Sequence, residues 1–258
     1  MLNVEYAIQV GSWSVRAADD PRTEFIALET ERSIGSAVDR CRLSLFAPPA
    51  PQPSLLEQAE VLRRDWGVGR PVWVAASTHE GEEEQLLEVF RQLRKRFGDC
   101  LLVVVPRHPE RFGAVAALCR QHGYQTVLRS EHAAYSASTS VYVADTMGEL
   151  SLLYAASDVA FVGGSLVAHG GHNLLEPAAL GLPVATGPHV FNFKEICELL
   201  VAAGAAVKVA DREELLHTLS HWLEDANERH HVGQLGCQVV ARNRGALEAV
   251  MAIIGRYL

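Results

Sequence analysis

The pattern of apolar and polar positions changes character near residue 50. Before it, Cys41, Leu43 and Leu45 alternate with Arg40, Arg42 and Ser44, the period-2 signature of half-buried strands. The run APPAPQP over residues 47–53 then removes backbone donors and sets an extended linker. This predicts a small β-rich N-terminal appendage with its Pro-rich linker over residues 1–53, and a second, larger domain over residues 54–258.

Beyond the linker, helical periods and short apolar runs alternate strictly. Helices are expected near residues 54–66, 82–97, 110–122, 149–156 and 174–180, followed by a helix-rich C-terminal stretch. Strands are expected at VWVAAS (72–77), LLVVV (101–105), 125–128, VYVA (141–144), DVAFVG (158–163) and LPVAT (182–186). Strands that are apolar throughout, separated by helices, belong to a parallel sheet covered on both faces; a sheet with one wet face would alternate. The expected fold class is therefore α/β, a doubly wound, mainly parallel Rossmann-like sheet.

Composition agrees with a globular chain. Its 258 residues are 48% apolar and 21% charged, enough to bury an ordinary core. No stretch reaches the roughly 18 uncharged apolar residues that a spanning helix needs. The opening MLNVEYAIQV lacks the basic region of a secretory signal, so cytoplasmic residence is the expectation. The five cysteines, Cys41, Cys100, Cys119, Cys197 and Cys237, are odd in number and contain no C-x-x-C pair, and are read as reduced packing residues. A net charge of -8 repels polyphosphate, and the one basic run, RQLRKRFG over residues 91–98, reads as the C-terminal turn of a helix. Nucleic acid is not an expected partner.

In such a sheet, ligands bind beyond the carboxyl ends of the strands, and polar and glycine residues collect there. The first strand is followed by Ser77, Thr78, His79, Glu80 and Gly81, and the second by Pro106, Arg107, His108 and Pro109. The fourth leads into Asp145, Thr146, Met147, Gly148 and Glu149. The fifth leads into Gly163, Gly164 and Ser165, then Gly170, Gly171, His172, Asn173 and Glu176. Two glycine-flanked helix starts at one edge suit a phosphate, and Arg107, between prolines, is a candidate fixed cation. The blander alternatives stay open. Thr146-x-x-Glu149 and Asn173-x-x-Glu176 fit capping boxes, and Arg107 fits a solvated loop. The pairs Gly163-Gly164 and Gly170-Gly171 allow a ligand close to the backbone. His217 with His221, and His230 with His231, lack a third metal ligand and read as surface histidines. There is no G-x-G-x-x-G after the first strand, no P-loop and no G-x-S-x-G, which argues against a dinucleotide dehydrogenase, a P-loop NTPase and an esterase.

The segments RPVWVAASTHEGEEE, VVVPRHPERF, VADTMGELSLLYAASDVAFVGGSL, GGHNLLEPAALGLPVATGPHVFNFKEIC and NRGAL, in this order, closely resemble the C-terminal domain of 3-deoxy-D-manno-octulosonic acid (Kdo) transferases. The resemblance runs from about Arg70 to Leu258. It implies one half of a two-domain GT-B glycosyltransferase, in which this half binds CMP-Kdo and the other half binds a lipid A precursor during lipopolysaccharide biosynthesis. It further implies that Glu176 accepts from ribose hydroxyls and that Met147, Gly148, Glu149 and Asn173 hold cytidine and phosphate. Arg107 would face the phosphate, while Ser77, Thr78, His79 and Glu80 would lie near the sugar. The family inverts configuration and needs neither metal nor cofactor, so leaving-group charge falls to helix N-termini and basic side chains.

Family members also carry a membrane anchor and an acceptor domain with a glycine-flanked glutamate resembling a general base. Residues 1–53 contain no counterpart, since Glu24, Glu29 and Glu31 sit in strand-like context. No catalytic residue is therefore assigned on this chain, and turnover by the chain alone is not expected. The full-length enzyme is expected at the cytoplasmic face, peripheral to the inner membrane. Two other readings stand beside this one: a GT-B enzyme using a UDP-sugar, and a structural or interaction protein whose α/β domain is passive.

Overall fold

In the computed structural model, which describes Pro48, residues 50–131 and residues 138–243, the strands are β1 (Val72–Thr78), β2 (Leu101–Pro106), β3 (Thr126–Leu128), β4 (Val141–Val143), β5 (Val159–Val162), β6 (Val184–Thr186) and β7 (Ala206–Lys208). All pair in parallel, in the order β3-β4-β2-β1-β5-β6-β7. The helices among the described residues are α1 (Pro53–Trp66), α2 (Glu83–Arg96), α3 (Phe112–Gln121), α4 (Leu150–Ala155), α5 (Leu175–Ala179), α6 (Lys194–Ala202), α7 (Arg212–Glu224) and α8 (Ala226–Asn243).

The unbroken apolar runs follow from this two-sided cover. Along β1, Trp73 and Ala75 pack with Leu86, Phe90 and Leu93 of α2 and Leu215, Leu219 and Trp222 of α7. Val72, Val74 and Ala76 point the other way, to Ala59, Leu62 and Trp66 of α1 and Leu152 and Leu153 of α4. Strand side chains alternate faces, and both faces here are dry. Full burial of such a side chain contributes about 1.5–3 kcal/mol, which a polar residue on either face would forfeit.

Helix ends follow local chemistry. Pro53 opens α1, where the absent N–H costs nothing, and Gly67, at φ 117°, ends it. Helix α2 starts on Glu83 and Glu84 and ends on Arg94, Lys95 and Arg96, complementing the helix dipole. The basic run is thus a helix end, and its cations serve this chain. Arg91 bonds Glu88, Arg94 donates to Gly98 O and Ser140 Oγ, and Arg96 pairs with Glu224 of α7.

The amino edge of the sheet is closed structurally. Buried Arg70 donates to the carbonyls of Trp66, Asp99 and Thr139, tying together the entries to β1, β2 and β4. The carboxyl edge carries the polar loops.

Several elements differ from the sequence expectation. Strand β7 was not anticipated; it has three residues, of which Ala206 is buried and Lys208 exposed, and an edge strand with one neighbour leaves no apolar run to read. The helix expected at 110–122 begins as a 3₁₀ turn, Pro109–Arg111, before α3. Cys100, Cys119 and Cys197 are buried free thiols as expected of packing residues, whereas Cys237 is exposed. The β-rich appendage expected over residues 1–46 lies outside the described residues, as does the NRGAL segment beyond Asn243. Among the described residues no helix is long and apolar enough to cross a membrane.

Candidate functional site

The chain runs from β1 outward through β2 to β3 and β4, then crosses to β5 on the other side of β1. The connections leaving β1 and β5 run to opposite sides of the sheet, which makes their carboxyl ends the topological switch point, the crevice position at which doubly wound sheets bind ligands. β1 ends irregularly: its register with β2 shifts between Ala76 and Thr78, and Ser77 sits at φ 55°. The left-handed conformation costs a non-glycine residue about 1–2 kcal/mol, so the strand end is strained where it turns into the crevice.

Two glutamates at the start of α2 hold this region. Glu82 is completely buried. Its Oε2 accepts from the N–H groups of His79 (3.2 Å) and Gly164 (2.8 Å), and its Oε1 from those of Ser165 (3.1 Å) and Leu166 (3.0 Å). Burial pushes its carboxyl above the usual range, and the four amides work against that shift. Glycine is required at 163 because a Cβ there would stand 2.6 Å from Glu82 Oε2 and 2.8 Å from Ser77 O. Gly163 and Gly164 therefore bring protein against protein, and Gly170 likewise abuts Phe191 and Asn192; the close approach read from these glycine pairs is made by this chain's own loops. Next to Glu82, buried Glu83 accepts from Thr78 Oγ1 at 2.8 Å and from Arg111 at 2.5 and 3.1 Å.

Above this framework lies a histidine cluster. His79 Nε2 is 2.8 Å from His172 Nε2, with the rings 6° from parallel, so one ring carries its proton on Nε2 and the other on Nδ1. His169 stacks on His79 with centroids 4.2 Å apart, and His108 meets it edge-on at 5.4 Å. Burial, followed by His169, His108, Arg111 and Arg107, pushes His79 down to about 4. Burial, followed by His79 and Arg107, does the same to His172. Both are neutral at neutral pH.

All the sequence-derived candidates lie at this carboxyl edge, and they divide into groups. Thr78 is engaged by Glu83, and its carbonyl accepts from Arg107 N–H at 3.0 Å, joining the β1 and β2 loops. Glu80 and Arg107 are exposed, and among the described residues the Arg107 guanidinium has no hydrogen-bonding or ion-pair partner. Met147 is exposed, and Gly148 turns at φ 83°. The Glu149 carboxylate meets Arg129 at 2.7 Å and accepts from the Thr146 hydroxyl. Thr146 thus contacts the Glu149 side chain instead of serving as a helix cap. Asn173 Oδ1 accepts from Leu175 N–H at 3.0 Å, and its side chain also bonds Glu176. Burial raises Glu176 above the usual carboxylate range, and it lies beside buried Tyr154, whose phenol it helps push well up. Glu176 also opens on a cavity of about 320 Å³ lined by Gln52, Leu55, Ser151 and Leu180. Helices α4 and α5 have six and five residues and align few peptide dipoles, so side-chain cations matter more at this edge than helix N-termini.

Sequence reasoning missed Glu82, Glu83, Arg111 and His169 as members of the site, and placed His172 at the right edge without giving it a role. The triple glutamate after Gly81 was a usable signal, since three carboxylates opening one helix exceed what a dipole needs. Nothing in the sequence foretold that His172, some ninety positions on, would face His79. His217, His221, His230 and His231 are exposed on α7 and α8, away from the strand ends.

This parallel, doubly wound sheet with helices on both faces is one half of a GT-B fold. Residues 72–238 match the family of glycosyl transferases group 1, and the chain belongs to that family. It is 44% identical over 205 residues to the 3-deoxy-D-manno-octulosonic acid transferase of Haemophilus influenzae, covering 79% of this chain and 48% of that protein. To the enzyme of the same name from Bordetella pertussis it is 35% identical over 194 residues, 74% of this chain and 45% of that protein. The chain thus spans about half the length of these curated relatives. Among solved structures, the C-terminal CMP-Kdo binding domain of WaaA from Acinetobacter baumannii matches with a TM-score of 0.70 and 37% identity, over 73% of this chain and 99% of that one. The C-terminal domain of a group 1 glycosyl transferase from Francisella tularensis, at 15% identity and a TM-score of 0.52, shares the fold.

Proposed function

We propose that this chain binds CMP-Kdo in the switch-point crevice and supplies the donor half of a Kdo transferase, which passes Kdo to a lipid A precursor in lipopolysaccharide biosynthesis. The observation that carries this reading is the Arg107 guanidinium, exposed and without a side-chain partner among the described residues, beside two neutral imidazoles at the carboxyl ends of β1 and β5. A phosphate monoester placed there gains a charged donor without first breaking an internal ion pair. The likeness to a CMP-Kdo binding domain favours cytidine as the base.

In this reading Glu176, with Asn173 beside it, accepts from the ribose hydroxyls. The β4 end lies three strand spacings from the β5 end, roughly 14 Å, which lets the Met147-Gly148 turn reach one end of a nucleotide whose phosphate lies near Arg107. Because Arg129 holds the Glu149 carboxylate, residue 149 offers its backbone turn to the ligand. Ser77, His79 and Glu80 face the sugar. The general base and the acceptor site belong to a partner half, so transfer requires that half, at the cytoplasmic face of the inner membrane.

The test is calorimetric titration with CMP, UDP and GDP, followed by backbone NMR. CMP should bind tightest and shift amides near residues 77–80, 107, 147–149 and 173–176. A preference for UDP would replace CMP-Kdo by a UDP-sugar. No binding at millimolar nucleotide, with stable self-association, would select a structural protein.

A further inference from the structure

We propose that Glu82 is the positioning residue of the crevice: its buried carboxylate occupies the amides of the β5 loop as an internal anion and locks that loop onto the β1 loop, so that His172 meets His79. The inference rests on the crevice being the donor site, but its geometry stands apart from the ligand's identity.

A glycine-rich loop with successive N–H groups turned inward, following a strand, is a common cradle for a ligand anion. Here the N–H groups of Gly164, Ser165 and Leu166 all point at one carboxylate of this same chain. The fourth amide on that carboxylate, His79 N–H, comes from the loop after β1. Glu82 therefore binds amides of both walls of the switch point at once. Ser165 extends the clamp, since its hydroxyl accepts from Gly187 N–H at 2.8 Å while donating to Val162 O, tying in the loop after β6.

Consequences follow on both sides of the clamp. With its amides occupied, the β5 loop is ordered before any ligand arrives, and a donor phosphate must bind on the Arg107 and histidine side. The distance between the His79 and His172 rings is in turn set by the loops that carry them: Gly164, where a Cβ would stand 3.1 Å from the His172 ring and 3.2 Å from that of His79, supplies one of the amides held by Glu82. An amide side chain at position 82 could not replace the carboxylate, because its NH₂ would face either the His79 and Gly164 donors or the Ser165 and Leu166 donors.

The experiment has two arms. In the unaltered protein, the Gly164, Ser165 and Leu166 amides should be protected from exchange without ligand, and saturating CMP should leave them unchanged while shifting the Arg107 region. Free exchange without ligand, with protection appearing on CMP addition, would overturn the proposal and make these amides the phosphate site. The second arm is Glu82→Gln, read by imidazole NMR titration and CMP affinity. Removing a nearby negative charge would by itself lower imidazole pKa values, so a rise of His79 and His172 from about 4 toward the ordinary 6.5 reports lost geometry. That rise, with CMP binding weakened about tenfold or more, is the expected result. A folded Glu82→Gln protein with both readouts unchanged refutes the positioning role, whatever its thermal stability. If Glu82→Gln fails to fold, the exchange arm decides. If CMP does not bind the unaltered protein, the donor reading fails, while amide protection and imidazole titration still judge Glu82.

Discussion

The Arg111 guanidinium grips the buried Glu83 carboxylate through two hydrogen bonds of 2.5 and 3.1 Å, while the Arg107 guanidinium four residues earlier is exposed. Two arginines in one short segment thus differ, one bound into the fold and one standing in solvent. Arg111→Ala would leave Glu83 buried with only Thr78 as a side-chain partner. The expected loss is about 3 kcal/mol, the low end for breaking a buried pair, because Arg111 keeps some solvent contact. Urea denaturation measures it, and a loss below the error of the method would mean that Glu83 is rescued by water.

Arg107→Ala should leave that denaturation curve in place and weaken CMP binding by about 1.5–3 kcal/mol, the range for a hydrogen bond to a charged group. Calorimetry on the same preparations separates the two arginines. Unchanged affinity would remove Arg107 from the site.

For Glu176, burial disfavours the charged form, so Glu176→Gln should keep or slightly raise the melting temperature. CMP binding should fall about tenfold, some 1.4 kcal/mol. A stability loss with intact binding would instead assign Glu176 to holding the start of α5.

At Ser77 the backbone is left-handed. Ser77→Gly should be stability-neutral within about 0.5 kcal/mol, the relief of strain being offset by a more flexible unfolded chain. Ser77→Val should melt below both the unaltered protein and Ser77→Gly, because a β-branched side chain is the worst fit to this conformation. Equal melting curves for the two variants would contradict the conformation at the end of β1.

His79 and His172 both titrate near 4 in the folded protein, against about 6.5 when unfolded. The unfolded chain therefore binds more protons in between, and stability must fall as pH drops from about 6.5 to 4. Their contribution is fully present above 6.5. Melting temperatures across this interval should decline less steeply in His172→Asn than in the unaltered protein; parallel declines would mean that the imidazoles are not held neutral.

Much of the fold was legible because its signals are local. Val72 to Ala76 read as a strand buried on both sides since every residue is apolar, and residues 82–97 read as a helix between two apolar runs, its basic residues falling in the last turn. β7 was illegible for the converse reason, being short and half wet. The place of the candidate site was legible in outline: Arg107, Asn173 and Glu176 follow strand ends, and a parallel sheet brings all such ends to one edge. The quoted motifs also carried the family resemblance, which the similarity to Kdo transferases bears out.

The sequence by itself determined which side chains reach that edge, because strand period and strand direction are properties of a few adjacent residues. Only the tertiary structure decided what they meet. That Glu82 fills the glycine loop and that His79 faces His172 depend on strand order, which brings β5 beside β1 across more than eighty intervening residues, and that Arg129 holds Glu149 depends on β3 pairing with β4. Such contacts arise from packing over long separations, and no local pattern encodes them.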